Sequence, residues 1–158
     1  MWLFIRRQFM EEMDDNRDRW RPILNNVDHS WYDSLYRSLN WTGVGQAPDI
    51  HWMEMPSTGL LIAQKFGVVV QFLSPGPHSE TYFLMFDGPG NIEDHAFVSF
   101  ALVNKNHYIM VELTKGAPMP PLNRTWSEFR YDQASEWEAI YDHRIQRVPQ
   151  RREYFDLT

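Results

Sequence analysis

Trp2, Ile5, Phe9 and Met13 recur at helical spacing, with Glu11, Glu12, Asp14 and Asp15 on the other side. This pattern predicts an amphipathic first helix whose acidic run is a solvated face. Pro22 is expected to end that helix or to lie just beyond its end. Asp28 then stands where a residue caps a second helix, with Trp31, Leu35 and Leu39 on one stripe and Tyr32 and Tyr36 beside it. A loop follows from Asn40 to about His51. Its Gly43-Val44-Gly45 lacks the third glycine and the preceding strand of a dinucleotide fingerprint, so these are turn residues. Pro56-Ser57-Thr58 predicts the start of a short third helix through Leu60, Leu61 and Ala63, with Gly67 at its C-terminal end.

Beyond Gly67 the period changes to that of strands. Val68 to Leu73 is β-branched and bounded by Ser74-Pro75-Gly76-Pro77, and Thr81 to Phe86 makes a second run closed by Asp87-Gly88-Pro89-Gly90. Ala96 to Val103 and His107 to Leu113 are two further strands, joined as a hairpin by Asn104-Lys105-Asn106. Pro118, Pro120 and Pro121 open an extended stretch, and helical spacing resumes from about Gln133 to Arg147. Trp126, Tyr131, Trp137, Tyr141 and Ile145 are expected to fold this tail back over the sheet. The fold class is therefore α+β (α/β-like): N-terminal helices packed on a mostly antiparallel strand meander, with a helical C-terminal tail.

The length of 158 residues fits a single domain, since a chain of this size buries roughly two-thirds of its unfolded surface in one core. We expect residues 1–117 to form that core and 118–158 to form the Pro-rich connection and tail. The chain has no cysteine, which excludes disulfides, thiolate metal sites and a thiol nucleophile of its own. A net charge of −6 disfavours nucleic acid as a partner, because phosphate contacts supply most non-specific affinity. The apolar start Met1-Trp2-Leu3-Phe4-Ile5 stops at Arg6-Arg7, too short for a signal-peptide core. No stretch reaches the length of a membrane span, and a cytoplasmic or nuclear address is expected.

Candidate chemistry rests on six histidines: His29, His51, His78, His95, His107 and His143. None forms an i, i+4 pair or a His-x-His pair, so no metal site is expected, and no motif asks for a cofactor. His29 and His143 read as surface residues on helices, His51 and His78 as loop residues, and His95 as opening a strand. His107 differs, because a tight turn delivers it into His107-Tyr108-Ile109-Met110-Val111-Glu112-Leu113. A rigid strand end facing a cleft suits an imidazole acting as a general base; a hydrogen-bonded structural role is the alternative.

The order of several pieces resembles the OTU-like (ovarian-tumour) cysteine protease domain, in the divergent version carried by plant proteins related to transposons. They are Trp2-x-x-Ile5-Arg6, Leu35-Tyr36-x-Ser38-Leu39-Asn40-Trp41 and His51-Trp52-Met53-x-Met55-Pro56. Thr58-Gly59-Leu60-Leu61-Ile62-Ala63 then leads into Val68-Val69-Val70, followed by Phe100-x-x-Val103-x-x-Asn106-His107-Tyr108. Pro118-x-Pro120-Pro121, Trp126, Trp137, Tyr141 and Arg144-Ile145-x-Arg147 resemble the family's tail.

The resemblance implies a deubiquitinase chemistry. A cysteine at a helix N-terminus attacks the isopeptide carbonyl after the last glycine of ubiquitin, and a histidine at the start of a late strand takes the thiol proton. His107 matches that histidine and is the one expected catalytic residue, a remnant general base. The family's Asp-Gly-Asn-Cys segment would lie upstream of Trp2, so the resemblance makes the chain an N-terminally truncated OTU-like domain. Ile109 stands where many members carry Asn or Asp, and it cannot accept a hydrogen bond from the imidazole. Ser57, Thr58 and Ser99 have ordinary capping or strand roles and are not substitute nucleophiles. The expected activity is therefore none, with ubiquitin or a ubiquitin-like protein as the partner class. A non-catalytic binding module, with aromatic anchors in the Asn40 to Met55 loop and near Tyr82, is the alternative, as is a domesticated transposon-derived nuclear protein.

Overall fold

The computed structural model describes residues 1–91 and 93–147. Among them, six α-helices and a four-stranded mixed sheet make an α+β fold. The chain divides into two compact units, Met1–Leu61 and Ile62–Thr158.

In the first unit, α1 (Trp2–Asp15), α2 (Arg17–Val27) and α3 (Trp31–Leu39) pack pairwise. Phe9, Met13, Trp20, Leu24, Tyr32, Leu35 and Leu39 are buried, as a helical stripe requires, whereas Trp2 at the stripe's start is half exposed. The acidic face is not wholly solvated. Glu12 is 7% exposed, and its Oε1 accepts the Trp20 indole N–H and the Asn16 amide, each at 3.0 Å. That knot places the break between α1 and α2 at Asn16, well ahead of Pro22, which lies inside α2. The proline removes a donor from an exposed stretch, where water can serve the unmatched carbonyl. Asp28 ends α2 rather than capping α3, and its Oδ1 accepts the N–H and hydroxyl of Ser30, the residue that precedes α3.

Arg6 closes the far end of α3. Its guanidinium donates to the carbonyls of Ser38 and His51 at 2.7 Å each and to that of Leu39 at 3.4 Å. The His51 Nδ1–H donates to the Arg37 carbonyl at 2.8 Å. Two basic side chains thus take up carbonyls that helix geometry leaves without partners, at the negative end of the helix dipole. Burial lowers the Arg6 pKa, and no carboxylate bonds to it among the described residues. The Asn40 to His51 loop carries one 3-10 turn, Asp49–His51. Helix α4 (Gly59–Phe66) starts at Gly59 rather than Pro56, because residues 54–58 form their own turn, with Thr58 N–H donating to the Glu54 carbonyl. Gly67, at φ +63°, follows its end, the left-handed conformation that glycine adopts without strain.

The second unit is built on strands β1 (Val69–Leu73), β2 (Glu80–Tyr82), β3 (Phe97–Val103) and β4 (His107–Val111) in the order β2-β1-β3-β4. The expected meander is not formed. The outer pairings are antiparallel, but the central β1–β3 pair is parallel, and β2 sits on the far side of β1. The β3–β4 hairpin turns through Asn104 and Lys105, both at positive φ, with Asn106 N–H donating to the Val103 carbonyl at 3.3 Å.

The run from Thr81 to Phe86 leaves the sheet after Tyr82, although every residue in it is buried. The tail satisfies its backbone instead. The Trp126 indole donates to the Leu84 carbonyl at 2.9 Å, Tyr131 N–H to the Met85 carbonyl at 3.0 Å, and the Trp137 indole to the Asp87 carbonyl at 2.8 Å. Phe83 stacks on Trp137 and Tyr141 and meets Trp126 edge-on. Helices α5 (Arg124–Phe129) and α6 (Glu136–Tyr141) are both short. The spacing through Arg147 does not continue as helix, because Ile145 pairs as an extended bridge with Met119. The part of the tail after Arg147 lies outside the described residues.

Candidate functional site

The register Gln71↔Ser99 and Ser99↔Val111 sets three side chains in one row across β1, β3 and β4. Cross-strand neighbours share a face, and this face floors a cleft of about 840 Å³. Its walls come from Glu93 to His95 ahead of β3, from Met110 to Gly116, and from Tyr141, His143 and Arg144 of the tail. Phe97 lies beside the row, held edge-on by Tyr141 at 5.6 Å and covered by the Arg144 guanidinium at 5.1 Å.

Gln71 and Ser99 are 2% and 5% exposed. The Ser99 hydroxyl donates to Gln71 Oε1 at 3.0 Å, and Gln71 Nε2 has no partner among the described residues. A buried amide with one unmatched group is costly in a core. The serine proton is committed to an amide, not to a base, so Ser99 is not an activated nucleophile.

His95 is anchored on both ring nitrogens. Nε2 lies 3.2 Å from the Pro89 carbonyl and Nδ1 lies 2.6 Å from the Tyr141 hydroxyl. A carbonyl only accepts, so Nε2 carries the proton and Nδ1 accepts the phenol O–H. Burial raises the Tyr141 pKa, with Arg144 opposing and Asp94 adding to it, which keeps the phenol protonated and donating. Trp137 packs against the imidazole at 4.6 Å. His95, expected to open a strand, instead precedes β3 and cross-links the segment before it to α6.

His107 is the first residue of β4 and follows the tight turn, as the strand pattern predicts. Its side chain is exposed, it does not line the cleft, and it has no hydrogen-bond or ion-pair partner among the described residues. Ile109, two positions on, is also exposed. The other histidines scatter. His51 holds the α3 terminus, while His29, His78 and His143 are exposed in turns, so His29 and His143 are not on helices. Tyr82 is core rather than an anchor, its hydroxyl bonded to Glu80 Oε2 at 2.5 Å. Trp52 is 55% exposed, with its indole N–H donating to the Ala47 carbonyl.

Among the described residues, no three His, Asp or Glu side chains gather as metal ligands, and no helix is long and apolar enough to cross a membrane. Gln71 was not singled out from the sequence, and Ser99, His95 and Tyr141 were given ordinary structural roles there. The available signal was a single polar residue inside each of two apolar strand runs, Gln71 in Val68 to Leu73 and Ser99 in Phe97 to Val103. The cleft offers polar and apolar recognition groups, and the hydroxyl of its buried Ser99 is bound to an amide oxygen. No protein-family model matches the chain, and neither a curated protein nor a solved structure matches it.

Proposed function

We propose that this chain is a non-catalytic, OTU-like protein-binding domain of the cytoplasm or nucleus, related to the enzymes that hydrolyse isopeptide bonds at ubiquitin or ubiquitin-like C-termini. The observation that carries the reading is the isolation of His107. It stands exposed at the strand start where such enzymes keep their general base, in a chain with no cysteine. A general base without a nucleophile leaves little of a covalent route. Binding is the function that survives, and exposed Ile50 and Trp52 in the loop before α4 supply apolar contact of the kind that dominates interfaces.

Two measurements test this. The purified chain is expected to release no fluorophore from a ubiquitin C-terminal conjugate above buffer. Turnover that His107→Ala abolishes would overturn the non-catalytic reading. Isotope-labelled ubiquitin titrated with millimolar chain is expected to show shifted amide resonances that weaken with Trp52→Ala. An unchanged ubiquitin spectrum overturns the binding reading.

A further inference from the structure

The two edges of the sheet are treated differently. On the outer side of β2, Thr81 N–H donates to the Pro121 carbonyl at 2.8 Å, and Asn123 N–H donates to the Thr81 carbonyl at 2.9 Å, so the chain closes that edge itself. On β4 nothing equivalent occurs among the described residues. The backbone parity follows from one bond, Val69 N–H to the Ala96 carbonyl at 2.9 Å. Even-numbered residues of β3 therefore turn their N–H and C=O toward β1, and odd-numbered ones turn toward β4. Given the register Ala101↔Ile109, Ile109 bonds inward, and Tyr108 and Met110 turn their N–H and C=O outward.

Sheet edges are ordinarily guarded by charge, proline or a bulge. His107–Val111 has no acidic residue, lysine, arginine or proline, and Ile109 and Met110 are 41% and 73% exposed. The edge is also self-complementary. Antiparallel pairing of two β4 strands about a two-fold axis at Ile109 sets Tyr108 against Met110 of the second copy on both sides. Each such pair exchanges both outward backbone bonds. The same register brings Lys105, in the turn before β4, within one position of Glu112, just beyond β4 of the other copy, both exposed, so each end of the pair carries opposite charges close together.

We infer that the free edge of β4 is an interface between two copies of this chain, joining their sheets into one continuous antiparallel seam centred on Ile109. A hydrophobic edge with matched charges at its ends fits a second copy because the same residues satisfy both sides.

Sedimentation of the full chain up to millimolar concentration is expected to show a reversible monomer–dimer equilibrium. Because Ile109 faces itself, Ile109→Lys and Ile109→Glu should each remain monomeric alone, and an equal mixture should recover the dimer by pairing unlike charges. Met110→Pro removes an N–H that the β3–β4 ladder does not use. It is expected to raise the dissociation constant about tenfold or more, the worth of the two outward bonds it deletes. The far-UV spectrum of each variant checks that the hairpin is folded, and the mixture test stands whether or not the proline variant folds. A single-chain mass at millimolar concentration overturns the inference. So does a dimer that the Ile109 variants leave intact, or a mixture that stays monomeric.

Discussion

Gln71 and Ser99 face each other across the parallel β1–β3 pair, and the 3.0 Å hydrogen bond between them occupies the amide oxygen while leaving the amide nitrogen unmatched. The asymmetry separates the two residues energetically. Ser99→Ala strands the remaining amide acceptor and is expected to cost about 1–2 kcal/mol. Gln71→Leu removes the unmatched group and should stay within about 1 kcal/mol of the parent, with the double variant more stable than Ser99→Ala alone. Urea unfolding of the three variants checks this. A Gln71→Leu loss larger than that of Ser99→Ala would contradict the assignment of the unmatched atom.

Arg6 makes a second prediction, because it is 2% exposed and, among the described residues, its hydrogen bonds go to backbone carbonyls of the α3 terminus and its loop. Arg6→Met removes the donor to the Ser38 and His51 carbonyls, while that of Leu39 keeps its bond from Trp41 N–H, and is expected to cost about 3 kcal/mol. Arg6→Lys should recover only part, since one ammonium lacks the planar fork that reaches Ser38 and His51 together. Denaturation midpoints are the readout, and a loss below about 1 kcal/mol for Arg6→Met would mean that the carbonyls find other donors.

Tyr82 predicts an alkaline limit to stability. Burial, reinforced by the Glu80 charge and hydrogen bond, pushes its phenol far above the ordinary value. The raised pKa contributes fully below the unfolded tyrosine value of about 10 and is lost as pH rises beyond it, since the unfolded chain then releases a proton that the folded chain keeps. Each such proton steepens the fall by about 1.4 kcal/mol per pH unit. Tyr82→Phe should lower stability by about 1 kcal/mol near neutrality and make the alkaline slope shallower by one proton. An unchanged slope from urea titrations at alkaline pH would contradict it.

Gly88 marks a close approach of the tail to the segment after β2. A Cβ built there would lie 2.7 Å from the Gln133 carbonyl oxygen, and a backbone atom has little room to move away. Gly88→Ala is expected to destabilise by about 1–3 kcal/mol, with the cost read from thermal unfolding. Gly116→Ala, where no atom lies within 4 Å of such a Cβ but φ is +79°, separates steric contact from backbone strain.

Residues whose environment is local were legible in the chain. The stripe of α1, the turn at Asn104 to Asn106, the start of β4 at His107 and the helix end at Gly67 all follow from period, side-chain shape or the freedom of glycine. Pro22 misled because its missing donor costs little where the helix is wetted, and the real break at Asn16 depends on a bond to Glu12 that spacing does not reveal. Thr81 to Phe86 looked like one strand because a buried run reads alike whether its backbone partners are strands or indole rings. The cleft was the least visible part. Gln71, His95 and Tyr141 are far apart in sequence, and each alone has an ordinary reading.

By itself, the amino-acid sequence determined the α+β class, the stripe of the first helix, the β3–β4 hairpin and the exclusion of thiol chemistry, since propensity, period and the absence of a residue type are properties of short stretches. Only the tertiary structure decided that β1 and β3 run parallel, that the tail's tryptophans satisfy the carbonyls after β2, and that Gln71, Ser99 and His95 share one cleft while His107 stands outside it. Those outcomes depend on which distant backbone and side-chain groups meet, and a donor's choice among acceptors far along the chain is set by packing rather than by its neighbours in sequence.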